Sequence, residues 1–265
     1  SNKFGISTSA PFVIDGPNLT IIVKQLGNSN ETDDTGDMKF KGSNMTFDYV
    51  ATGNSNKLRL DLGDTDADGH YYDIDVTGSS NIVDISGHTS DDIQDTHIDL
   101  DIRGDSNDFW AYVRGDSHFL YVLMSGNSND VDLNCDSTGG NSSCGTANAV
   151  INFTGSSNDI DLDIGQTSSA NTADVDIVGQ SGSDSNVVAA TVDGNSAILT
   201  ITVNGDTNNY LIDIDGNGDS VGHTLIHSHT GGIADVDIVQ SGTNDNMITL
   251  TTSGDNADID ISQTD

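Results

Sequence analysis

The residues best suited to chemistry are aspartates set in short, regular patterns. Asp64, Asp66 and Asp68 alternate ahead of Gly69, and Asp75 stands at the twelfth position of the same stretch. Alternating oxygen ligands, a glycine bend and a closing carboxylate suit a hard cation, and calcium is the one cofactor the sequence suggests. No helical flanks are evident, so the two readings are a solitary calcium loop and an acidic turn. Asp215, Asn217 and Asp219 form a shorter, weaker version. His227-Ser228-His229 sets two imidazoles on one strand face beside His223, a conceivable transition-metal site. The plainer reading places them at polar, outward positions. Acid pairs recur along the whole chain, so no single acid–base pair stands out for catalysis. No phosphate loop or dinucleotide fingerprint is present. The chain is not expected to be an enzyme.

The elements that carry these residues are repeats. A Gly-x-Ser-Asn corner recurs at Gly27-Asn28-Ser29-Asn30, Gly53-Asn54-Ser55-Asn56, Gly78-Ser79-Ser80-Asn81, Gly104-Asp105-Ser106-Asn107, Gly126-Asn127-Ser128-Asn129 and Gly155-Ser156-Ser157-Asn158. Gly and Asn tolerate the left-handed backbone of tight corners. Between corners run segments such as His97-Ile98-Asp99-Leu100-Asp101-Ile102 and Asp159-Ile160-Asp161-Leu162-Asp163-Ile164, which alternate aliphatic and acid. Period-two alternation is the signature of a half-buried strand. Gly104, Gly115 and Gly126 are 11 residues apart, while Gly53 to Gly78 is 25 and Gly78 to Gly104 is 26. One strand and one corner make the shorter unit, and two units make a rung. The fold expected is all-β: a β-solenoid of stacked two-strand rungs, about 22–26 residues each. Outward aspartates in register would then stack about 4.8 Å apart and call for salt or divalent cations between them.

Composition bounds the partners. The chain has 265 residues, 42 acidic and 8 Lys or Arg, for a formal net charge of -34. Glu31 is the only glutamate, and no Lys or Arg follows Arg114. Phosphate neutralisation needs cations on the protein, so nucleic acid is excluded as a partner. No apolar run reaches the length of a membrane span. Cys135 and Cys144 flank a Gly- and Ser-rich loop, and a disulfide is favoured over a metal pair. A disulfide implies an oxidising compartment. Sequons occur at Asn18, Asn30, Asn44, Asn141 and Asn152 as glycosylation candidates. The start at Ser1 reads as a mature, processed chain. The localisation expected is extracellular or at the cell surface, by secretion.

Residues 1–26 hold both prolines and no Gly-Ser-Asn corner, and read as an N-terminal arm or cap that docks on a neighbouring subunit. Residues 27–265 read as the solenoid. Around Phe109-Trp110-Ala111-Tyr112-Val113 and Phe119-Leu120-Tyr121-Val122-Leu123-Met124 both faces are apolar. This patch is expected to pack against another layer, the arm or a neighbour. The final repeat ends without a polar cap, so head-to-tail stacking with a second copy is expected.

The later repeats carry a finer pattern. Gln166 with Asn171 and Ala173, Gln180 with Gly182 and Asn186, Gln240 with Gly242 and Asn246, and Asn256 with Ala257 and Gln263 follow one order, with an extra residue between Gly and Asn in the second and third. The pattern resembles the curlin repeat of bacterial curli subunits, clearest over residues 155–265 and looser over 27–154. The resemblance implies a two-strand-per-rung solenoid that polymerises outside the cell into amyloid-like biofilm fibres. It also implies that these Gln and Asn amides form hydrogen-bonded ladders along the fibre. A calcium-dependent, non-polymerising adhesin or fibre-tip protein is the alternative.

Overall fold

The computed structural model describes residues 13–31, 38–61, 68–86, 95–113, 117–135, 146–164, 172–193, 196–215, 223–241 and 246–264. Within them the chain is all-β. Its strands alternate between two parallel sheets. The first sheet runs, in spatial order, β1 (Val13–Asp15), β3 (Met38–Lys41), β5 (Lys57–Asp61), β7 (Ile82–Ser86), β9 (Asp108–Val113), β11 (Asp130–Cys135), β13 (Asp159–Ile164), β15 (Val187–Asp193), β17 (Asn208–Asp215), β19 (Ala234–Ser241) and β21 (Ala257–Thr264). The second runs β2 (Thr20–Leu26), β4 (Thr46–Thr52), β6 (Tyr71–Thr77), β8 (His97–Arg103), β10 (His118–Ser125), β12 (Thr146–Thr154), β14 (Thr172–Gly179), β16 (Ser196–Asn204), β18 (Thr224–Thr230) and β20 (Met247–Ser253). Every strand pairs with the strand two ahead of it, which makes the molecule a β-solenoid.

Alternation explains the strands. In β8 the side chains Ile98, Leu100 and Ile102 point inward and are fully buried, while Asp99 and Asp101 point outward. The same parity holds in β13, where Ile160, Leu162 and Ile164 are buried. The inward aliphatics of both sheets meet in one continuous core. Each fully buried Leu or Ile stabilises by roughly 1.5–3 kcal/mol, and the outward acids keep the thin layer wetted on both sides. Because the register is kept from strand to strand, inward side chains stack in columns, as in Ile74–Leu100–Val122–Ile151 along β6, β8, β10 and β12.

The Gly-x-Ser-Asn corners link second-sheet strands to first-sheet strands, and their backbone accounts for itself rung by rung. Gly53 N–H donates to the Thr77 carbonyl at 2.9 Å, and Ser55 N–H to the Ser79 carbonyl at 3.0 Å. Asn54 N–H donates back to Asn28 Oδ1 at 2.8 Å, and Asn56 N–H forward to Asn81 Oδ1 at 2.8 Å. All four donors of the corner are therefore satisfied without water. The serines sit in the left-handed region, at φ 57 for Ser55 and 56 for Ser128. Glycine is required two corner positions earlier. At Gly126, φ is 140 and a Cβ would lie 1.9 Å from the Gly104 carbonyl oxygen.

Two expectations change in detail. Corresponding corner asparagines are 22 to 29 residues apart, so the rung is more variable than the glycine spacing implied. From β9 to β10 the connection is residues 114–117, and from β11 to β12 it is residues 136–145, so the extra length enters at the opposite corner. Gly104 and Gly126 mark the same corner on successive rungs, and Gly115 lies outside the described residues. From Val13 onward, the segment read as an arm or cap is the first rung: β2 pairs with β4 over its whole length. Residues 1–12 lie outside the described residues.

Candidate functional site

The most regular chemical feature is a buried amide ladder inside the Gly-x-Ser-Asn corners. Asn30, Asn56, Asn81, Asn107, Asn129, Asn158, Asn186 and Asn208 turn inward and are almost fully buried. From Asn56 onward, each accepts through Oδ1 the backbone N–H of its counterpart one rung earlier, at 2.8–3.0 Å, beginning with the Asn30 N–H. Side-chain amides add a second strand of bonds, such as Asn81 Nδ2 to Asn107 Oδ1 at 3.0 Å and Asn107 Nδ2 to Asn129 Oδ1 at 3.1 Å. A buried amide costs free energy unless paired, so this ladder locks rung-to-rung register. It stops after Asn208, whose register partner is Ala234.

An outer ladder runs the opposite way on the second corner residue. Asn28, Asn54, Asp105, Asn127 and Asp184 each accept, through a side-chain oxygen, the backbone N–H of the equivalent residue one rung later, at 2.7–2.8 Å. Asp206 continues the series by accepting the Gly232 N–H.

At the opposite corner, imidazoles take the acceptor role. His70 Nδ1 accepts the Met45 N–H at 3.2 Å, His223 Nδ1 accepts the Ala197 N–H at 3.1 Å, and Asn246 Oδ1 accepts the His223 N–H at 3.1 Å. An acceptor Nδ1 requires a neutral ring. Burial lowers the pKa of His70, opposed by the nearby Asp68 carboxylate.

The outward reading of His227 and His229 is corrected. Both share the inward parity of Leu225 and lie in the core. The His227 ring meets Tyr210 edge-on with centroids 4.4 Å apart, and the Tyr210 hydroxyl and His229 Nδ1 are 2.9 Å apart. Burial pushes the His227 pKa down to about 4, with His229 adding to the shift. Burial also lowers the pKa of His229, against the opposing pull of Asp206. The pair faces a tyrosine in a closed core and not a solvent-accessible metal site. The sequence missed this because the outward Ile226, just before His227, is itself apolar and hides the parity of the strand.

The amide residues named from the curlin-like pattern separate into different places. Asn186 belongs to the buried corner ladder. Gln240 is buried in β19, and Gln263 Nε2 donates to its Oε1 at 3.2 Å. Gln240 does not continue toward Gln180, because its partner on the other side is Ile214. Gln180 is exposed at a corner, Asn246 stands at the opposite corner, and Asn256 is exposed at φ 64. Gln166 and Asn171 lie outside the described residues.

Outward carboxylates do stack in register. On the second sheet Asp48, Asp73 and Asp99 form one column and Asp75 and Asp101 the next. On the first sheet Asp108, Asp130 and Asp159 form a column beside Asp132 and Asp161. Partial burial and then the neighbouring acids raise the pKa values of Asp73, Asp75, Asp130 and Asp132. Asp161 is raised by burial and Asp159. Arg103 pairs with Asp101, and Arg59 lies 3.5 Å from Asp84. Among the described residues, no group of three or more His, Cys, Asp or Glu is arranged to hold a metal ion.

The calcium candidates are only partly placed. Asp64 and Asp66 lie outside the described residues, Asp68 is exposed, and Asp75 projects from β6. β6 is extended from Tyr71, and the His70 carbonyl accepts the His97 N–H at 2.8 Å. Asp75 is therefore carried about 13 Å along the strand from its start, into the column with Asp101. Asp215 closes β17, while Asn217 and Asp219 lie outside the described residues.

The aromatic patch also resolves by parity. Phe109 and Leu120 point inward, whereas Trp110, Tyr112, Phe119 and Tyr121 point outward and stay half-buried. Among the described residues no additional layer covers them. They cover one another instead. Tyr71, His97 and Phe119 stand in one column with successive centroids 4.6 Å apart, and Trp110 and Tyr112 are near-parallel at 6.1 Å.

Cys135 is buried at the end of β11 and disulfide-bonded, and Cys144 lies outside the described residues. Of the sequons, Asn18 and Asn44 are exposed, and Asn152 is half-exposed. Asn30 is committed to the buried ladder and is not offered to a glycosylating enzyme by the folded chain. Asn141 lies outside the described residues. No helix among the described residues is long and apolar enough to cross a membrane. No family model matches the chain, and no curated protein or solved structure matches it.

Proposed function

We propose that this protein is a structural subunit of an extracellular, curli-like fibre of a biofilm or cell surface. The observation that carries the reading is the translational ladder from Asn30 to Asn208. Over that span each rung offers forward the N–H that the next rung accepts, and backbone pairing alone carries the same translation on through β19 and β21. Both sheets are parallel and in register, so the edge formed by β1 and β2 is complementary to the edge formed by β20 and β21. An unpaired parallel edge is a template for another chain, and a contact that does not close on itself gives an open filament. Cys135 in a disulfide supports an oxidising, extracellular setting. Static light scattering and negative-stain microscopy of the purified chain, in salt with calcium, test the reading. Filaments are expected, and a stable monodisperse monomer sinks it.

A second reading, a calcium-dependent adhesin or fibre tip, is favoured by the stacked carboxylates beside the outward aromatic column. There calcium would bridge neighbouring rungs and the aromatic stripe would meet the surface. Titration calorimetry with calcium decides that point, and absence of binding heat at millimolar ion removes this reading.

A further inference from the structure

One outward face of this acidic chain carries no charge. β14 presents Asp174 and Asp176 outward. In register with them β16 presents Ile198 and Thr200, β18 presents Thr224 and Ile226, and β20 presents Met247 and Thr249. The remaining outward positions of these three strands are threonine, serine or asparagine. Ile198, Ile226 and Met247 are 45%, 39% and 49% exposed. No other three consecutive strands of either sheet, among the described residues, lack a charged outward side chain. The contrast is sharp within single columns, since Thr200 and Thr249 continue the column that holds Asp48, Asp73 and Asp99.

Charge decides what such a face can meet. Two copies with a net charge of -34 repel wherever carboxylate columns face each other. A flat β-surface of threonine and branched aliphatics lets two identical sheets approach and interdigitate without desolvating an ion. We propose that this face packs against the same face of a second copy, laying filaments side by side into bundles. The proposal rests on the fibre reading.

Size makes the contact conditional on polymerisation. Three strands about 4.8 Å apart and about seven residues long give a patch of roughly 330 Å². A stable pair of proteins buries about 800 Å² on each partner, so single subunits do not pair through it. A filament repeats the patch once per subunit, and the linked contacts add. Because the same patch serves both partners, the pairing is isologous.

The test is the double substitution Thr200→Asp with Thr249→Asp, both in a column that already accepts aspartate. Ile226→Asp, at the centre of the face, is a second, independent probe. Thermal melts monitored by circular dichroism confirm folding. Filaments should form as in the unmodified protein, while widths in negative-stain images fall to those of single filaments and the low-speed pellet drops several-fold. Bundles that persist in both variants overturn the proposal, as do unmodified filaments that lie only singly. If the unmodified chain forms no filaments, the fibre reading fails first and this proposal falls with it.

Discussion

Asn107 shows how much depends on one side chain in this fold. Its Oδ1 receives both the backbone N–H and the Nδ2 of Asn81, each at 3.0 Å. Replacing it with alanine leaves two buried donors without an acceptor, and burying an unsatisfied donor costs about 1–3 kcal/mol. Urea denaturation of Asn107→Ala should therefore show a loss of at least about 2 kcal/mol, whereas Ser106→Ala, at the exposed neighbour, should lose far less. The corner itself was legible from glycine and serine, but the inward turn of the asparagine was not. Polar residues in a turn read as solvent-facing. Parity was the signal that would have found it: Asn56 is in step with Leu58 and Leu60, and Asn81 with Val83 and Ile85. The same count places Leu225, His227 and His229 on one inward face.

At the scale of the strand, two sets of titratable groups pull stability in opposite directions with pH. His227 has a folded pKa lowered from the model-peptide value of 6.5 to about 4. The folded chain favours its neutral form, so no penalty exists above pH 6.5. The penalty grows as pH falls toward 4 and is then constant. Relative to His227→Leu, the native chain should lose on the order of 3 kcal/mol between pH 7 and pH 4. Denaturation midpoints of the pair across that range check it, and parallel curves would contradict it. The raised carboxylates act the other way. Their repulsion is fully present at neutral pH and is relieved as pH falls through their raised values toward the ordinary 3.8. Asp132 stands among Asp108, Asp130 and Asp161 and accepts a hydrogen bond from Trp110. Asp132→Asn keeps an acceptor oxygen and removes a charge, so it should stabilise at pH 7 by about 0.5–1 kcal/mol in low salt. The gain should shrink in 1 M salt, where screening reaches about 3 Å. Alternation foretold the strands and their acid columns, because period two needs only local sequence. It did not foretell which aromatics face out, since Phe109-Trp110-Ala111-Tyr112-Val113 is apolar at every position. In Phe119-Leu120-Tyr121-Val122-Leu123-Met124, equally apolar, the partner strands set Phe119 outward in the column with Tyr71 and His97.

Across the whole molecule, the repeat supplies cohesion and the acids supply spacing. Backbone ladders, the buried asparagines and a core one side chain deep bind each rung to the next. A net charge of -34 keeps separate copies apart except where charge is missing. The solenoid was legible from corner spacing, while the length of each rung was not, because insertions at the second corner carry no register signal. The fibre account makes its most direct claim about direction: subunits add as rungs add. X-ray diffraction from aligned filaments of the purified chain tests it. The account predicts a strong reflection near 4.8 Å along the fibre axis, because strands would lie across that axis at the rung spacing. Filaments whose 4.8 Å spacing lies across the axis, or a chain that yields no filaments to align, would contradict it.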